Sequence, residues 1–432
     1  MNKSSWLRCL LIDPSKLKNG KYLIFLLFMF LLFVGISFKI AYKIGPLGDI
    51  NAFWKAGRNF FQGNDLYINI WDEGRFIYPP FSAMLFQMLA LFPVKVAAGI
   101  MVFVNILLFL FSIFLVRSIF EFYYSDKKVI NRMLLFSMLL SFRFFWYCFN
   151  FTQMNEVIFV LCLQGILFMI KKKEMPAIIC FVIATFIKII PVFFLIWLIF
   201  RGNFRTYVKM FIAVSLCIII PIIWRGFNTG LMDLNHYYIQ FLKPFQDGRV
   251  EYPFTNQSLS AAIYRLFQPL QDTLNLGEDH AQDFQPFYLP LIMVKKIYTC
   301  CAAFLFLTFL AFLSFLRFKK KEITILEVSV VLLITHLLSS ITWDYHLVSL
   351  LFIYMSFLML FKDLQPGISK WFSYFIIGLM LLNSFIGKDT SGTFLYHYIE
   401  GLSFITWMMV VLYFFLISKV ISNSRKSAST IN

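Results

Sequence analysis

Three ionisable residues of this chain stand in surroundings that are unusual for their type: Asp49, Lys188 and His346. Asp49 follows the turn-forming residues 45–48 and directly precedes a segment with helical periodicity. An aspartate at such a point is a favoured helix N-cap. A carboxylate that turns away from the helix is instead available as a general base. Both interpretations stay open on the sequence alone.

Lys188 lies in the sequence FIKIIP, inside the apolar run 176–200. A cation in an apolar run is costly and marks a functional site by default, although a lysine can also extend its side chain to the interface. Pro191, three residues further on, indicates irregular backbone that lines a cavity. We therefore predict that Lys188 binds a phosphate group of a lipid substrate.

The sequence SSITWDYHL places Trp343, Asp344 and His346 at the end of another apolar run. A single histidine there is often only interfacial. The neighbouring tryptophan and aspartate favour a sugar-binding or acid–base site instead.

Side-chain amides and hydroxyls suggest further binding positions. Gln153 and Asn155 stand at a break between apolar runs and could hydrogen-bond sugar hydroxyls, although a polar connecting turn is the plainer explanation. The sequence NQSLSAAIYRLF predicts a short amphipathic segment that presents Asn256, Ser258 and Arg265. Its first three residues also match the spacing of a glycosylation acceptor, which is a weak pattern.

Three more residues are candidates for substrate binding, although each has a structural explanation. Asp65 and Tyr67, in GNDLY, are typical of the turn that ends a helix. Tyr78 precedes two prolines at a rigid turn, where a tyrosine is often an interfacial anchor.

The segment after Asp49 has the pattern of an amphipathic helix that starts at Ile50. Its apolar positions are Ile50, Phe53, Trp54, Gly57, Phe60 and Phe61, and its polar positions are Asn51, Lys55, Arg58, Asn59 and Gln62. Such a helix beside a membrane span is expected to lie flat at the lipid–water boundary. It would hold the Asp49 carboxylate where the lipid ends.

Composition places the chain among membrane proteins. It is 60% hydrophobic and only 14% charged, and apolar runs long enough to span a bilayer recur from end to end. The net charge of +17 does not indicate nucleic acid, because Lys and Arg cluster in short segments between apolar runs, as in cytoplasmic loops. The seven cysteines show neither metal spacing nor a disulfide framework. We predict an all-α polytopic membrane protein of one domain, residues 1–432, without a cleavable signal peptide.

Charge placement predicts the orientation of the chain. The basic N-terminus indicates a cytoplasmic start, a first span at 22–42 and an extracytoplasmic loop at 43–80. A second long extracytoplasmic loop is predicted at 226–289. Further apolar runs lie at 98–117, 131–149, 155–170, 176–200, 207–225, 290–316, 323–341, 346–361, 371–387 and 398–419.

Two segments decide how the spans are counted. Residues 80–93 are few for a span, which needs roughly 20 residues, and 176–200 is interrupted by Lys188 and Pro191. If 80–93 spans the membrane and 176–200 is one helix, several basic clusters lie on the extracytoplasmic side. If 80–93 lies beside the membrane and 176–200 forms two short helices, every basic cluster lies on the cytoplasmic side. We favour this version because cytoplasmic loops carry an excess of Lys and Arg. Both versions give about twelve spans, with both termini inside.

Taken in order, these stretches resemble glycosyltransferase family 87, the polyprenyl-phosphate-mannose-dependent α-mannosyltransferases of the GT-C class. The likeness extends over most of the chain, through DINAFWKAGRNFFQGNDLY, YPP, QMN, FIKIIP, NQSLSAAIYRLF and SITWDYH. The family usually has a glycine before the glutamine of QMN, where this chain has Thr152.

The resemblance implies a GT-C-type fold and a multi-pass enzyme of the cell membrane. Such an enzyme takes a sugar, expected to be mannose, from a polyprenyl phosphate on the outer face and passes it to a lipid or glycan acceptor. It implies that Asp49 is the catalytic base, that His346 lies near the reacting groups, and that neither a nucleotide sugar nor a metal is needed. One base in a single displacement would invert the anomeric centre, with Lys188 and Arg265 as the predicted cations for the leaving phosphate.

Two other classes of protein stay open. A flippase for lipid-linked oligosaccharides, or a polysaccharide polymerase, would share the spans and outer loops but should depend on several cations in a central cavity. A membrane scaffold without catalysis would leave Asp49, Lys188 and His346 unexplained as a set.

Overall fold

The structure is a computed structural model that describes residues 20–44, 49–67, 76–269, 285–319 and 322–429. Most of the basic N-terminal cluster and the residues 45–48 that precede Asp49 lie outside this range. The α-helices in chain order are α1 (Gly20–Ile44), α2 (Ile50–Gln62), α3 (Pro80–Ala90), α4 (Val94–Tyr123), α5 (Lys127–Asn150), α6 (Asn155–Ile170), α7 (Glu174–Ile187), α8 (Val192–Arg201), α9 (Phe204–Arg225), α10 (Phe227–Tyr237), α11 (Lys243–Gln246), α12 (Leu259–Phe267), α13 (Leu291–Phe318), α14 (Ile325–Leu337), α15 (Leu350–Asp363), α16 (Ile368–Phe385), α17 (Lys388–Ser391), α18 (Thr393–Gly401) and α19 (Phe404–Ser429). A π-helical segment, Tyr238–Leu242, and a 3₁₀ segment, Asp344–Ser349, complete the regular structure, and the described residues contain no strand.

Eight helical segments in the described residues are long and apolar enough to cross a membrane. Five shorter apolar helices, α3, α6, α7, α8 and α14, accompany them. The chain is therefore all-helical and consistent with a polytopic membrane protein, as predicted. The count of twelve spans and the GT-C arrangement stay predictions.

The helix boundaries agree with the favoured interpretation of the two short segments. Helix α3 has 11 residues, a length of roughly 16 Å, which is too short for a bilayer. The run 176–200 forms two helices, and Lys188 lies at the break after α7 with extended backbone. Two other predicted runs differ from the structure. Helix α14 ends at Leu337 rather than 341, and the run 398–419 is divided between α18 and α19.

The chain divides into two compact units. Unit 1 comprises Met1–Tyr123, Phe145–Pro191 and Tyr207–Pro244, and unit 2 comprises Tyr124–Phe144, Val192–Thr206 and Phe245–Asn432. In unit 1, α2 packs against α3, α1 against α4, and α6 against α4 and α7. In unit 2, the largely buried helix α14 packs against α8, α15 and α19.

Helix α2 begins at Ile50, as the apolar pattern predicted. The predicted face is buried at Ile50, Phe53, Gly57 and Phe60. The prediction is wrong for Phe61, which is 74% exposed, because it lines a surface cavity beside the end of α3 and is not packed into the core. Trp54 is only half-buried, and its indole N–H donates to the Phe92 carbonyl at 2.8 Å.

The C-terminal end of α2 is fixed by an arginine from α9. Gly63 ends the helix in the left-handed conformation, with a φ of 80°. The Arg225 guanidinium donates to the carbonyl groups of Asn59, Phe60 and Asn64, and it pairs with Asp233. Helix-terminal carbonyl groups need such donors in an apolar environment. The helix that starts beside Asp49 is thus held at its far end within unit 1.

The contact between α2 and α3 depends on a glycine. A Cβ atom at Gly57 would lie 2.3 Å from the carbonyl oxygen of Phe86. We expect Gly57→Ala to destabilise the protein by roughly 1–3 kcal/mol, because the two backbones must separate. Thermal unfolding of the detergent-purified protein measures this, with Gly35→Ala as the control, since a Cβ there meets nothing within 4 Å. Equal unfolding midpoints for the two variants would contradict the close packing.

Candidate active site

The Asp49 carboxylate does not cap helix α2. Asp49 occupies the N-cap position, but its side chain makes no capping hydrogen bond. Its Oδ2 atom instead accepts a hydrogen bond from the Gln153 side-chain amide, in the turn between α5 and α6. Asn105 of α4 donates to the Gln153 carbonyl at 2.8 Å and so fixes this turn. Of the two interpretations of Asp49, the structure agrees with the one in which the carboxylate turns away from the helix.

The Lys188 ammonium lies against the first residue of α6. Its Nζ atom donates to Asn155 Oδ1 at 3.3 Å and lies 5.5 Å from the centroid of the Tyr78 ring. Lys188 is 9% exposed. Burial lowers the pKa of Lys188, which lies outside the candidate spans, and the Asp49 carboxylate opposes this shift. An anionic ligand would oppose it further.

Tyr78 lies beside Lys188 in this site. Burial, together with the Asp49 carboxylate, raises the pKa of Tyr78, so the phenol stays neutral. Tyr67, itself buried, donates its hydroxyl to the Tyr78 carbonyl at 2.7 Å. Asp65 accepts from the Tyr67 backbone N–H at 2.9 Å, as expected for the turn that ends α2. Asp65 and Tyr67 thus support the turn that carries Tyr78.

Several buried polar atoms around this turn have no hydrogen-bond partner among the described residues. They are Asn105 Oδ1, Thr152 Oγ1, Asn155 Nδ2 and Glu156 Oε1. An unpaired buried polar group is costly, and such a group in a native structure calls for an explanation. Asn155 is the most informative, because its oxygen accepts from Lys188 while its nitrogen stays available as a donor. These four unsatisfied atoms, one in the turn and three on the adjoining helices, could be satisfied by a polar ligand.

The polar residues of NQSLSAAIYRLF hold unit 2 together. The Asn256 amide donates to the carbonyl groups of Glu251 and Ser340, and Ser258 caps α12. Arg265 donates to the carbonyl groups of Pro253 and Gly401 and to Ser403 Oγ. All three are buried. The predicted short segment is helix α12, and these three side chains bind groups of unit 2; their role in substrate binding stays a prediction.

The corner predicted around His346 is the 3₁₀ segment of unit 2. His346 Nδ1 accepts from the Trp343 backbone N–H at 3.1 Å. Asp344 accepts from Arg143 at 2.9 Å and from the Tyr396 hydroxyl at 3.3 Å. Asp344 and His346 are each 7% exposed. The roles of all three predicted residues in binding or catalysis stay predictions.

Two groups of polar residues were not predicted from the sequence. Arg143 lies in the predicted span 131–149 and pairs with both Asp344 and Glu400 in unit 2. The rule that selected Lys188, a cation in an apolar run, also finds Arg143. In unit 1, the buried Glu156 accepts from the Cys148 thiol. Its acidic side chain directly follows QMN and could have been noticed there.

Thr152 stands in a backbone conformation that favours glycine. Its φ is 53°, in the left-handed region. Glycosyltransferase family 87, which the sequence resembles, usually has glycine at this position. The turn therefore has a backbone conformation suited to glycine, although the residue is threonine. The Thr152 hydroxyl is also one of the unsatisfied buried atoms.

We expect Thr152→Gly to raise stability by roughly 1 kcal/mol, because it removes the cost of an L-residue in the left-handed region. The thermal unfolding midpoint measures this change. Lys172→Gly is the matched control, because Lys172 has a φ of 57° but is exposed. A fall in the midpoint of Thr152→Gly alone would show that the threonine side chain stabilises the turn.

The described chain has the elements of a polytopic helical membrane protein, with a carboxylate, two amides and an ammonium group brought together in unit 1. A sequence model of glycosyltransferase family 87 matches residues 76–340. Since this is more than half of the chain, the protein belongs to glycosyltransferase family 87, and it is a membrane glycosyltransferase. A search of curated proteins finds no match. The family match includes Gln153, Asn155 and Lys188, and Asp49 and His346 lie outside it.

Proposed function

We propose that this glycosyltransferase moves a sugar, with mannose as the first choice, from a polyprenyl phosphate to a lipid or glycan acceptor on the outer face of the cell membrane. Family membership supports the transfer of a sugar. The buried ammonium group of Lys188 supports an anionic donor in an apolar environment. The basic clusters between the apolar runs support an extracytoplasmic position for the first loop.

Asp49 is the proposed general base. The acceptor hydroxyl oxygen forms a bond to the anomeric carbon, while the bond from that carbon to the phosphate oxygen breaks. The hydroxyl proton passes to the Asp49 carboxylate, and polyprenyl phosphate leaves with the bonding electron pair. A single displacement of this kind inverts the anomeric centre.

The observation that carries this assignment is the direction of the Asp49 side chain. An aspartate at an N-cap position normally accepts from the helix N–H groups, and Asp49 does not. Its carboxylate accepts from Gln153 instead. A donated hydrogen bond favours the ionised carboxylate, which is the form that a base requires. Gln153 therefore orients the base in this mechanism.

Lys188 is the proposed partner of the leaving phosphate. Negative charge develops on the phosphate oxygen as the bond breaks, and a cation fixed in an apolar site stabilises that charge strongly. Asn155 holds the ammonium through its oxygen and keeps its nitrogen for an oxygen atom of the donor. Arg265 is a weaker candidate for this role, because its guanidinium donates to four acceptors of unit 2.

We expect Asp49→Asn to lower the transfer rate by roughly 10²- to 10⁴-fold, the usual contribution of a general base. Transfer of radiolabelled mannose from polyprenyl-phosphate-mannose to membrane lipids measures this rate. Asp126→Asn, at an exposed aspartate, is the control. Because Asp49 makes no capping bond, the variant should unfold at the temperature of the wild type. Full transfer by Asp49→Asn at normal enzyme levels would overturn the proposed role.

Replacement of Lys188 tests the phosphate assignment separately. We expect Lys188→Met to lower kcat/KM for the lipid donor by roughly 10²-fold, since it removes charge stabilisation at the leaving group. Lys188→Arg should retain part of the activity because it keeps the charge. The control is Lys171→Met, at an exposed lysine of unit 1. An unchanged donor kcat/KM in Lys188→Met would refute the assignment.

A further inference from the structure

A cavity on the surface of unit 1 lies between the second half of α2 and the end of α3. Its volume is about 390 Å³, within the size range of small-ligand sites. Its lining includes Trp54, Arg58 and Phe61 of α2, together with Leu91 and Phe92, which follow α3. None of the residues assigned to the transfer reaction lines it. The cavity is therefore a separate site on the same unit.

The wall of the cavity combines one cation with a fixed aromatic ring. The Arg58 guanidinium lies 5.3 Å from the centroid of the Trp54 ring. The Trp54 indole is held in place by its hydrogen bond to the Phe92 carbonyl. Arg58 is exposed, so its donors are available at the surface. A guanidinium that is positioned on an aromatic ring is well suited to bind a phosphate.

The two described helices that line the cavity carry charge of one sign only. Helices α2 and α3 contain the two cations Lys55 and Arg58 and no carboxylate. Lys95 lies in the first turn of α4, just after the loop that closes the cavity. A ligand with negative charge is therefore favoured over a neutral or cationic one.

Large apolar side chains surround the cavity. Phe61 is 74% exposed, Leu91 is 75% exposed and Met88 is 73% exposed. Such residues are expensive in water and suit contact with acyl chains. The surface thus offers a cation for a headgroup and an adjoining apolar face for lipid tails.

We propose that this cavity binds an anionic glycerophospholipid of the surrounding bilayer, with its phosphate on Arg58 and its acyl chains along Phe61 and Leu91. The site does not take part in the transfer reaction. It anchors the α2–α3 pair at the membrane surface through a bound lipid. Its support is the cavity, the charge of Arg58 and the exposed apolar side chains, so lipid binding at this cavity can fail independently of the proposed function.

Native mass spectrometry of the full chain in detergent tests the proposal with an equimolar mixture of phosphatidylglycerol and phosphatidylcholine. We expect the wild type to retain phosphatidylglycerol preferentially. Arg58→Gln should weaken phosphatidylglycerol binding about tenfold, the effect of one lost charge-assisted hydrogen bond. Lys55→Gln is the matched control, because Lys55 is an exposed cation of the same helix that does not line the cavity.

The outcomes separate the possible ligands. Equal retention of the two lipids by the wild type, or equal losses in Arg58→Gln and Lys55→Gln, would overturn the proposal. Displacement of phosphatidylglycerol by soluble glycerol phosphate would show a simple phosphate site and overturn it as well. Stronger competition by polyprenyl phosphate would assign the cavity to the sugar carrier instead. Competition on the wild type needs no variant, so the proposal stays testable if Arg58→Gln does not fold.

Discussion

The site in unit 1 is built where helices end, and this follows from the cost of polar groups in an apolar chain. Helix ends leave backbone groups unsatisfied, so polar side chains are tolerated there at the lowest cost. Asp49 precedes α2, Tyr78 precedes α3, Asn155 starts α6 and Lys188 follows α7. Residues that are far apart in sequence are thus brought together in one polar region. In the middle of a span the same residues would need partners that an apolar helix does not provide.

Each of the two charged groups of this site is hydrogen-bonded to a neutral amide. Gln153 donates to the Asp49 carboxylate, and Asn155 accepts from the Lys188 ammonium. An amide fixes an ionic group without adding charge, and it leaves the remaining lone pairs of a carboxylate, or the remaining N–H groups of an ammonium, for other partners. This arrangement suits a site where a hydroxyl must meet a base and a phosphate must meet a cation.

The sequence predicted the elements of unit 1 well, because their signals are local. Helical periodicity placed the start of α2 at Ile50, and a lysine with a nearby proline placed the break after α7. The direction of the Asp49 side chain was open because capping depends on a torsion angle and on a partner 104 residues away. The exposure of Phe61 was missed because α3 covers only part of the apolar face of α2.

Unit 2 shows that a polar pattern alone leaves the role of its residues open. Asn256, Ser258 and Arg265 have the residue types of a sugar- and phosphate-binding segment, yet their polar atoms bind backbone and side-chain groups of the same unit. A buried irregular chain must satisfy its own carbonyl groups, and long polar side chains supply the donors. The sequence shows which side chains can donate a hydrogen bond but not which groups accept it. An unsatisfied buried atom, such as Asn155 Nδ2, is a further signal that only the folded structure reveals.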